Sequence, residues 1–179
     1  MQYHDTPFNE VKIISLEKRG DERGFFARTF CQREMATQQL VDTFVQINSS
    51  YSSTRGTLRG LHFQLPPFRE VKIVRCLRGS VFDVIVDIRP DSSRFGQHYA
   101  MELTADNSLM LYVPHGFAHG FLTLEDHCEL QYLVSEFYHP EAERGLQWND
   151  PELNIPWPFS PRVVSPRDTS NPLLRSLFL

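Results

Sequence analysis

The sequence predicts an all-β fold of many short strands, of the sandwich, barrel or jelly-roll kind, with only short helices at its periphery. Three observations carry that expectation. Runs of five to ten residues rich in β-branched, aromatic and aliphatic side chains recur along the chain, at 11–16, 24–30, 43–48, 58–64, 71–77, 81–88, 97–103, 109–113, 120–124 and 128–137. Turn formers separate them, such as Arg78-Gly79-Ser80, Pro90-Asp91-Ser92-Ser93 and Asp106-Asn107. No stretch sustains a helical apolar period; only 32–40 and the last ten residues read as short helices.

The strand at 81–88 is informative by parity. Side chains alternate between the two faces of a strand. Phe82, Val84, Val86 and Ile88 make one wholly apolar face, and Val81, Asp83, Ile85 and Asp87 make the other. An apolar outer face over a partly polar inner one suits a barrel with a working lumen; a half-exposed strand with its acids in water fits the pattern equally. In the strand at 71–77, Lys72, Val74 and Cys76 share a face, so the lysine lies at a cavity or a sheet edge. Seven of the twelve prolines lie after residue 139. With Trp148 and Trp157 to bury, that stretch reads as an ordered wrap around the strands, starting at about residue 140, within one domain of 1–179.

Composition limits function. The chain has 179 residues, 41% hydrophobic and 22% charged, with net charge −4. That is ample for one packed core and gives no general field for nucleic acid or an acidic membrane, so an anionic ligand must be held by local arginines and lysines. Cys31, Cys76 and Cys128 form no CxxC pair and read as reduced, buried thiols. The first ten residues lack a basic and apolar leader, and no apolar run nears the roughly 20 residues of a membrane helix. A cytoplasmic protein is expected.

Four clusters carry candidate chemistry. Arg55-Gly-Thr-Leu-Arg59-Gly-Leu-His62-Phe-Gln64 places a histidine in a strand beside arginine, and Glu70-Val-Lys72-Ile-Val-Arg75 follows it. Pro114-His-Gly-Phe-Ala-His119-Gly-Phe121 suggests a tight turn leading into a strand. Tyr132 stands alone, as core tyrosines do. Pro114-x-Gly-x-x-His119 looks like the second half of the cupin metal signature. The first half reads His62-Phe63-Gln64, and glutamine replaces imidazole poorly toward a transition metal, so a metal-dependent cupin is the weaker alternative.

Jointly these strings resemble the dTDP-4-dehydrorhamnose 3,5-epimerase family: Gly56-x-Leu-Arg-Gly-Leu-His62-x-Gln64, Lys72, Asp83-Val-Ile-Val-Asp87-Ile-Arg89, Pro114-x-Gly-Phe-Ala-His119-Gly-Phe121, Tyr132, Phe137-Tyr138, Glu143-Arg144, Trp148-x-Asp150-Pro151 and Ile155-x-Trp157-Pro158. The match runs from about residue 8 to about 170. The resemblance implies a cupin jelly-roll barrel, a homodimer, no metal, no cofactor, and a nucleotide-diphosphate sugar as substrate. It implies His62 as general base, oriented by Asp168 of Ser165-Pro-Arg-Asp168, and Tyr132 as the acid on the opposite face. It implies Lys72 as the enolate-stabilising cation with Asp83 beside it. Arg59, His119 and Tyr138 are implied as sugar or diphosphate contacts, and Arg23, Phe26, Gln46 and Asn48 as contacts to the nucleotide end. Inversion at C3, at C5 or at both, or movement of the ketone, fits the same residues. The family's Arg-Gly-x-Phe-x-Glu reads Arg23-Gly-Phe-Phe26-Ala-Arg28 here, which leaves the nucleobase open. Arg59 and His62 have opposite strand parity, so one site can hold both only through a bulge or a strand end.

Overall fold

The computed structural model describes residues 1–177 and is dominated by two antiparallel sheets packed face to face. The first sheet runs in the order β1 (Gln2–Asp5), β2 (Lys12–Ser15), β10 (Met110–Val113), β7 (Lys72–Arg78), β12 (Cys128–Val134), β5 (Gln46–Ser52). The second runs β13 (Glu143–Gly145), β6 (Thr57–Gln64), β11 (Phe117–Thr123), β8 (Ser80–Asp87), β9 (His98–Thr104), with β14 (Val163–Val164) added in parallel to β6. A separate hairpin joins β3 (Arg19–Asp21) to β4 (Gly24–Phe26). Helix is confined to α1 (Gln32–Thr37), α2 (Pro166–Thr169) and a 3-10 turn at Leu174–Ser176. The all-β jelly-roll expectation holds. Part of the C-terminal segment expected to be helical, residues 178–179, lies outside the described residues.

The core lies between the sheets. Val74, Cys76 and Leu130 from the first meet Val81, Ile85, Leu103, Phe117 and Phe121 from the second. Parity places them: each shares its strand face with the residues that line the lumen. Burial also pushes the Cys76 thiol up to about 12, so it stays protonated and acts as a small apolar group. Cys31, expected to be buried like the others, is only partly so.

Asp83 and Asp87 are both fully buried, which removes the reading of β8 as half-exposed with its acids in water. The opposite face of β8, with Val84, Val86 and Ile88, packs under Leu146, Leu153 and Leu174 of the C-terminal segment. Trp157 stacks edge-on against Phe82 at 5.8 Å and donates its indole N–H to the Trp148 carbonyl. That face is therefore covered by the chain itself. The outer face of the first sheet carries another cluster, with Ile14, Ile73, Met110 and Tyr112 packed under Met35 of α1 and Leu40, Val41 and Phe44.

Strand ends moved where hydrophobicity misled. β5 starts at Gln46 rather than 43 and runs on through Ser49-Ser50-Tyr51-Ser52, because its ladder with β12 supplies backbone partners that side-chain composition does not advertise. The run at 24–30 shrinks to β4, half of an exposed hairpin.

Candidate active site

The base of the site is built by a bulge. β6 pairs with β11 at His62↔His119 and again at Arg59↔Phe121, so three steps on β6 match two on β11. The extra residue restores parity, and Arg59 joins His62 on the lumen side. Gly60 makes this possible: its φ is +127°, and a Cβ there would lie 2.5 Å from the Gly120 Cα.

The acid partner of His62 arrives from the far end of the chain. Arg162 N–H donates to the Gly56 carbonyl, and β14 pairs with Thr57 and Leu58, so the segment is zipped along the edge of β6. Ser165 then caps α2, accepting from the Asp168 N–H at 3.0 Å, with Pro166 at its first position. This short turn delivers Asp168 to within 2.6 Å of His62 Nε2. Burial pushes the Asp168 carboxyl up, but the His62 hydrogen bond and charge and the Gly60 N–H outweigh it and hold the group below the usual carboxylate range.

Tyr132 and Lys72 face His62 from the opposite sheet. All three line one cavity of about 560 Å³, together with Arg59, His119, Arg167 and Asp168. An adjoining depression of about 410 Å³ shares the same three residues and adds Gln46, Asn48, Tyr138 and Glu143. Burial, and then the nearby Glu70 carboxylate, raise the Tyr132 phenol above its ordinary value, so it is a protonated donor at neutral pH. Arg59 is held by bonds from its Nε to Ser52 Oγ and from its Nη2 to the Tyr51 carbonyl.

Several expected residues are placed differently. Asp83 does not sit beside Lys72 and does not line the cavity; it is fully buried behind His119, whose Nε2 it engages at 2.9 Å. It orients that imidazole instead of touching a ligand. The partner of Lys72 is Glu70, at 2.9 Å. Arg23 and Phe26 lie on the exposed hairpin, with Arg23 tied to Asp21 and Phe26 71% exposed, away from the cavity of their own chain. Arg28, where the resemblance leads one to expect glutamate, forms a surface ion pair with Glu34. Glu143 and Arg167 were not singled out for a role; they form a network at the mouth in which the Tyr138 hydroxyl donates to Glu143 at 2.6 Å and Arg167 pairs with the same carboxylate at 2.7 Å. The sequence signal available was their adjacency to Arg144 and Asp168, which identifies no chemistry by itself. Among the described residues, no group of three or more His, Cys, Asp or Glu side chains is arranged to hold a metal ion, and the two lumen imidazoles each spend Nε2 on a carboxylate.

A carboxylate-paired imidazole on one sheet of a cupin-like all-β fold, facing a phenol and an ammonium on the other, is an arrangement able to move protons at carbon. The model for dTDP-4-dehydrorhamnose 3,5-epimerase matches residues 5–176. The dTDP-4-dehydrorhamnose 3,5-epimerase of Sinorhizobium fredii is 43% identical over 178 residues, covering 99% of this chain and 91% of that protein. The crystal structure of the Bacillus anthracis dTDP-4-dehydrorhamnose 3,5-epimerase with TDP and pyrophosphate bound is 43% identical, covers 96% of this chain and 98% of its own, and superposes with a TM-score of 0.93. The dTDP-6-deoxy-D-glucose-3,5-epimerase of Legionella pneumophila in complex with dTDP-4-keto-L-rhamnose is 40% identical, covers 98% of this chain and 94% of its own, with a TM-score of 0.92. This chain belongs to the dTDP-4-dehydrorhamnose 3,5-epimerase family.

Proposed function

We propose that the protein inverts C3 and C5 of a dTDP-linked 4-keto-6-deoxyhexose by successive proton transfers. The observation that carries this is the shared cavity of His62, Lys72 and Tyr132, with base and acid on opposing sheets. A C–H beside a ketone is acidic because its electron pair moves into the carbonyl as an enolate. His62 takes the proton, and Asp168 fixes the imidazole tautomer and balances the imidazolium. The Lys72 ammonium offsets the negative charge that develops on the ketone oxygen. Tyr132 returns a proton to the other face, which inverts the carbon. His62 then releases its proton and the phenolate regains one from solvent, so the sum is an isomerisation without net oxidation and without a cofactor. A second cycle at the other carbon needs only a shift of the ring.

Arg59 and Arg167 supply the local positive charge for the diphosphate, His119 contributes a polar contact for the sugar, and Gln46, Asn48 and Tyr138 line the path toward the nucleotide. A homodimer explains the remaining placement: Phe25, Phe26, Ile47 and Tyr51 are exposed apolar groups, and a hairpin bearing Arg23 can reach the cavity of a second copy. Concentration-independent monomer in light scattering refutes that assembly. The thiols suit a reducing cytoplasm; no helix among the described residues is long and apolar enough to cross a membrane.

Incubation with dTDP-4-keto-6-deoxyglucose in D₂O, followed by proton NMR, tests the activity. Loss of the proton signals at both carbons is expected. Exchange at one carbon makes the protein a single-site epimerase, and exchange at neither refutes the proposal. CDP- and GDP-linked analogues in the same assay identify the base requirement.

A further inference from the structure

Glu70 lines the depression that adjoins the cavity, beside Lys72 and Tyr132, but has no part in the proton transfers described above. It precedes β7 by two residues, so it shares parity with Lys72 and both side chains turn into the lumen, while Val71 between them is buried on the other face of the sheet. The segment is anchored on both sides of Val71: its N–H donates to Ser135 Oγ at 2.8 Å, and its carbonyl accepts from the Ser135 N–H at 3.0 Å. Glu70 Oε1 pairs with Lys72 Nζ at 2.9 Å, and the two side chains are only 14% and 12% exposed. Its other oxygen has a long contact of 3.4 Å from the Gln64 amide. That amide is itself fixed, donating to the Phe68 and Phe137 carbonyls.

We propose that Glu70 is a positioning residue for the reaction: it pins the Lys72 ammonium to the cavity wall so that its free N–H bonds face the ketone oxygen. The inference rests on the epimerase reading above. A lysine head group has three N–H bonds and a flexible four-carbon stem. With one bond given to a carboxylate that is held by its own backbone, the remaining two are aimed without rearrangement as charge develops. A lone ammonium on that stem would instead sample the roomy cavity and follow solvent. Partial burial makes the pairing matter, because a screened surface pair would contribute little. The same carboxylate also faces Tyr132 and favours its protonated form. Other charged or titratable groups around it are His62 from β6, Glu136 and Tyr138 after β12, Glu143 of β13, Arg69 beside it and His115 of the 114–116 turn.

The test compares wild type, Glu70→Gln and Glu70→Asp in the deuterium wash-in assay with dTDP-4-keto-6-deoxyglucose, from neutral pH to beyond the ordinary tyrosine range, about pH 11. E70Q keeps size and hydrogen-bonding capacity but loses charge. Its kcat is expected to fall about 10- to 100-fold, with KM within about threefold. The basic limb of its kcat profile is expected to move down, because an anion near the Tyr132 phenol has been removed. E70D, which keeps the charge, restores the limb and part of kcat. An independent readout is the Lys72 ¹⁵Nζ signal, which an immobilised ammonium gives and which should broaden or vanish in E70Q. Wild-type kcat and an unmoved limb in E70Q overturn the proposal, as does a joint loss of kcat and KM with no shift in the limb, or an unchanged Lys72 signal. If E70Q does not fold, E70D decides: an unmoved Lys72 signal and full kcat despite its shorter reach overturn the proposal as well. Wild type that exchanges no deuterium refutes the epimerase reading instead, and the Lys72 signal still reports on Glu70.

Discussion

Replacing Asp168 by asparagine is the sharpest test of the dyad. The carboxylate accepts from His62 Nε2 at 2.6 Å and from the Gly60 N–H at 3.3 Å, using both oxygens. An amide of the same shape has one acceptor, so one of these donors must face an NH₂ group. If the oxygen stays on Gly60, the imidazole is presented with a donor and turns its wrong nitrogen to the substrate. If it stays on His62, the charge that balances the imidazolium is gone. A charge-assisted hydrogen bond of this length contributes about 2 kcal/mol more than a neutral one at most, and loss of tautomer control adds further. Together these raise the barrier by about 4 kcal/mol, or about 10³-fold in kcat. The assay is deuterium wash-in under saturating dTDP-4-keto-6-deoxyglucose, with circular dichroism to confirm the fold. A D168N enzyme within about threefold of wild type would mean that His62 works without its partner, and the dyad argument would be wrong.

Tyr132→Phe separates abstraction from return: wash-in at the carbon should persist within about tenfold while epimerised product falls at least about 100-fold, as judged by NMR of the sugar ring. Lys72→Met should lower kcat about 10²- to 10³-fold and destabilise the protein, since Glu70 is left as an unpaired, mostly buried charge; adding Glu70→Gln should recover the melting temperature but not the rate. Gly60→Ala should lower the melting temperature by about 5 to 10 °C and remove activity, because φ is +127° and the new Cβ meets the Gly120 backbone. Stability should hold from pH 7 to about pH 5 and fall steeply below about pH 4. Asp168, Asp87 and Glu143 all sit below their ordinary values despite burial, held there by His62, Arg89 and the Tyr138–Arg167 pair respectively. Depressed groups stabilise the fold above their unfolded pKa, and that contribution disappears as pH drops through the folded one. Melting curves of wild type and Asp87→Asn check this, with the variant expected to be less stable at neutral pH and flatter in acid.

Alternation was enough to sort the side chains of β7 and β8 into two faces, because a strand leaves each side chain only two directions, but it left open which face turns inward. Lys72 shares its face with Val74 and Cys76, and the two acids share theirs with Val81 and Ile85, as parity required; burial shows these to be the inward faces. Parity failed at Arg59 and His62, since a bulge is a property of two strands and β6 alone does not reveal it. Pairings failed for a similar reason. Nothing local distinguishes Glu70 from Asp83 as the neighbour of Lys72; the choice is made by which strands lie adjacent, and β8 lies beside β11, not β7. The β3–β4 hairpin was half seen, because its phenylalanines look like core residues and are exposed. Family likeness carried the roles of His62, Tyr132 and Asp168, which spacing alone would have left as a core tyrosine and scattered polar groups.

His62 and Asp168 are separated by 106 residues, and the turn that bears the aspartate is laid onto the barrel edge near the end of the chain. The pair can therefore form only once nearly the whole chain is present. A ribosome-bound or C-terminally clipped chain lacks both the aspartate that meets this imidazole and the leucines that cover β8. The pairing itself reports that the last segment has docked.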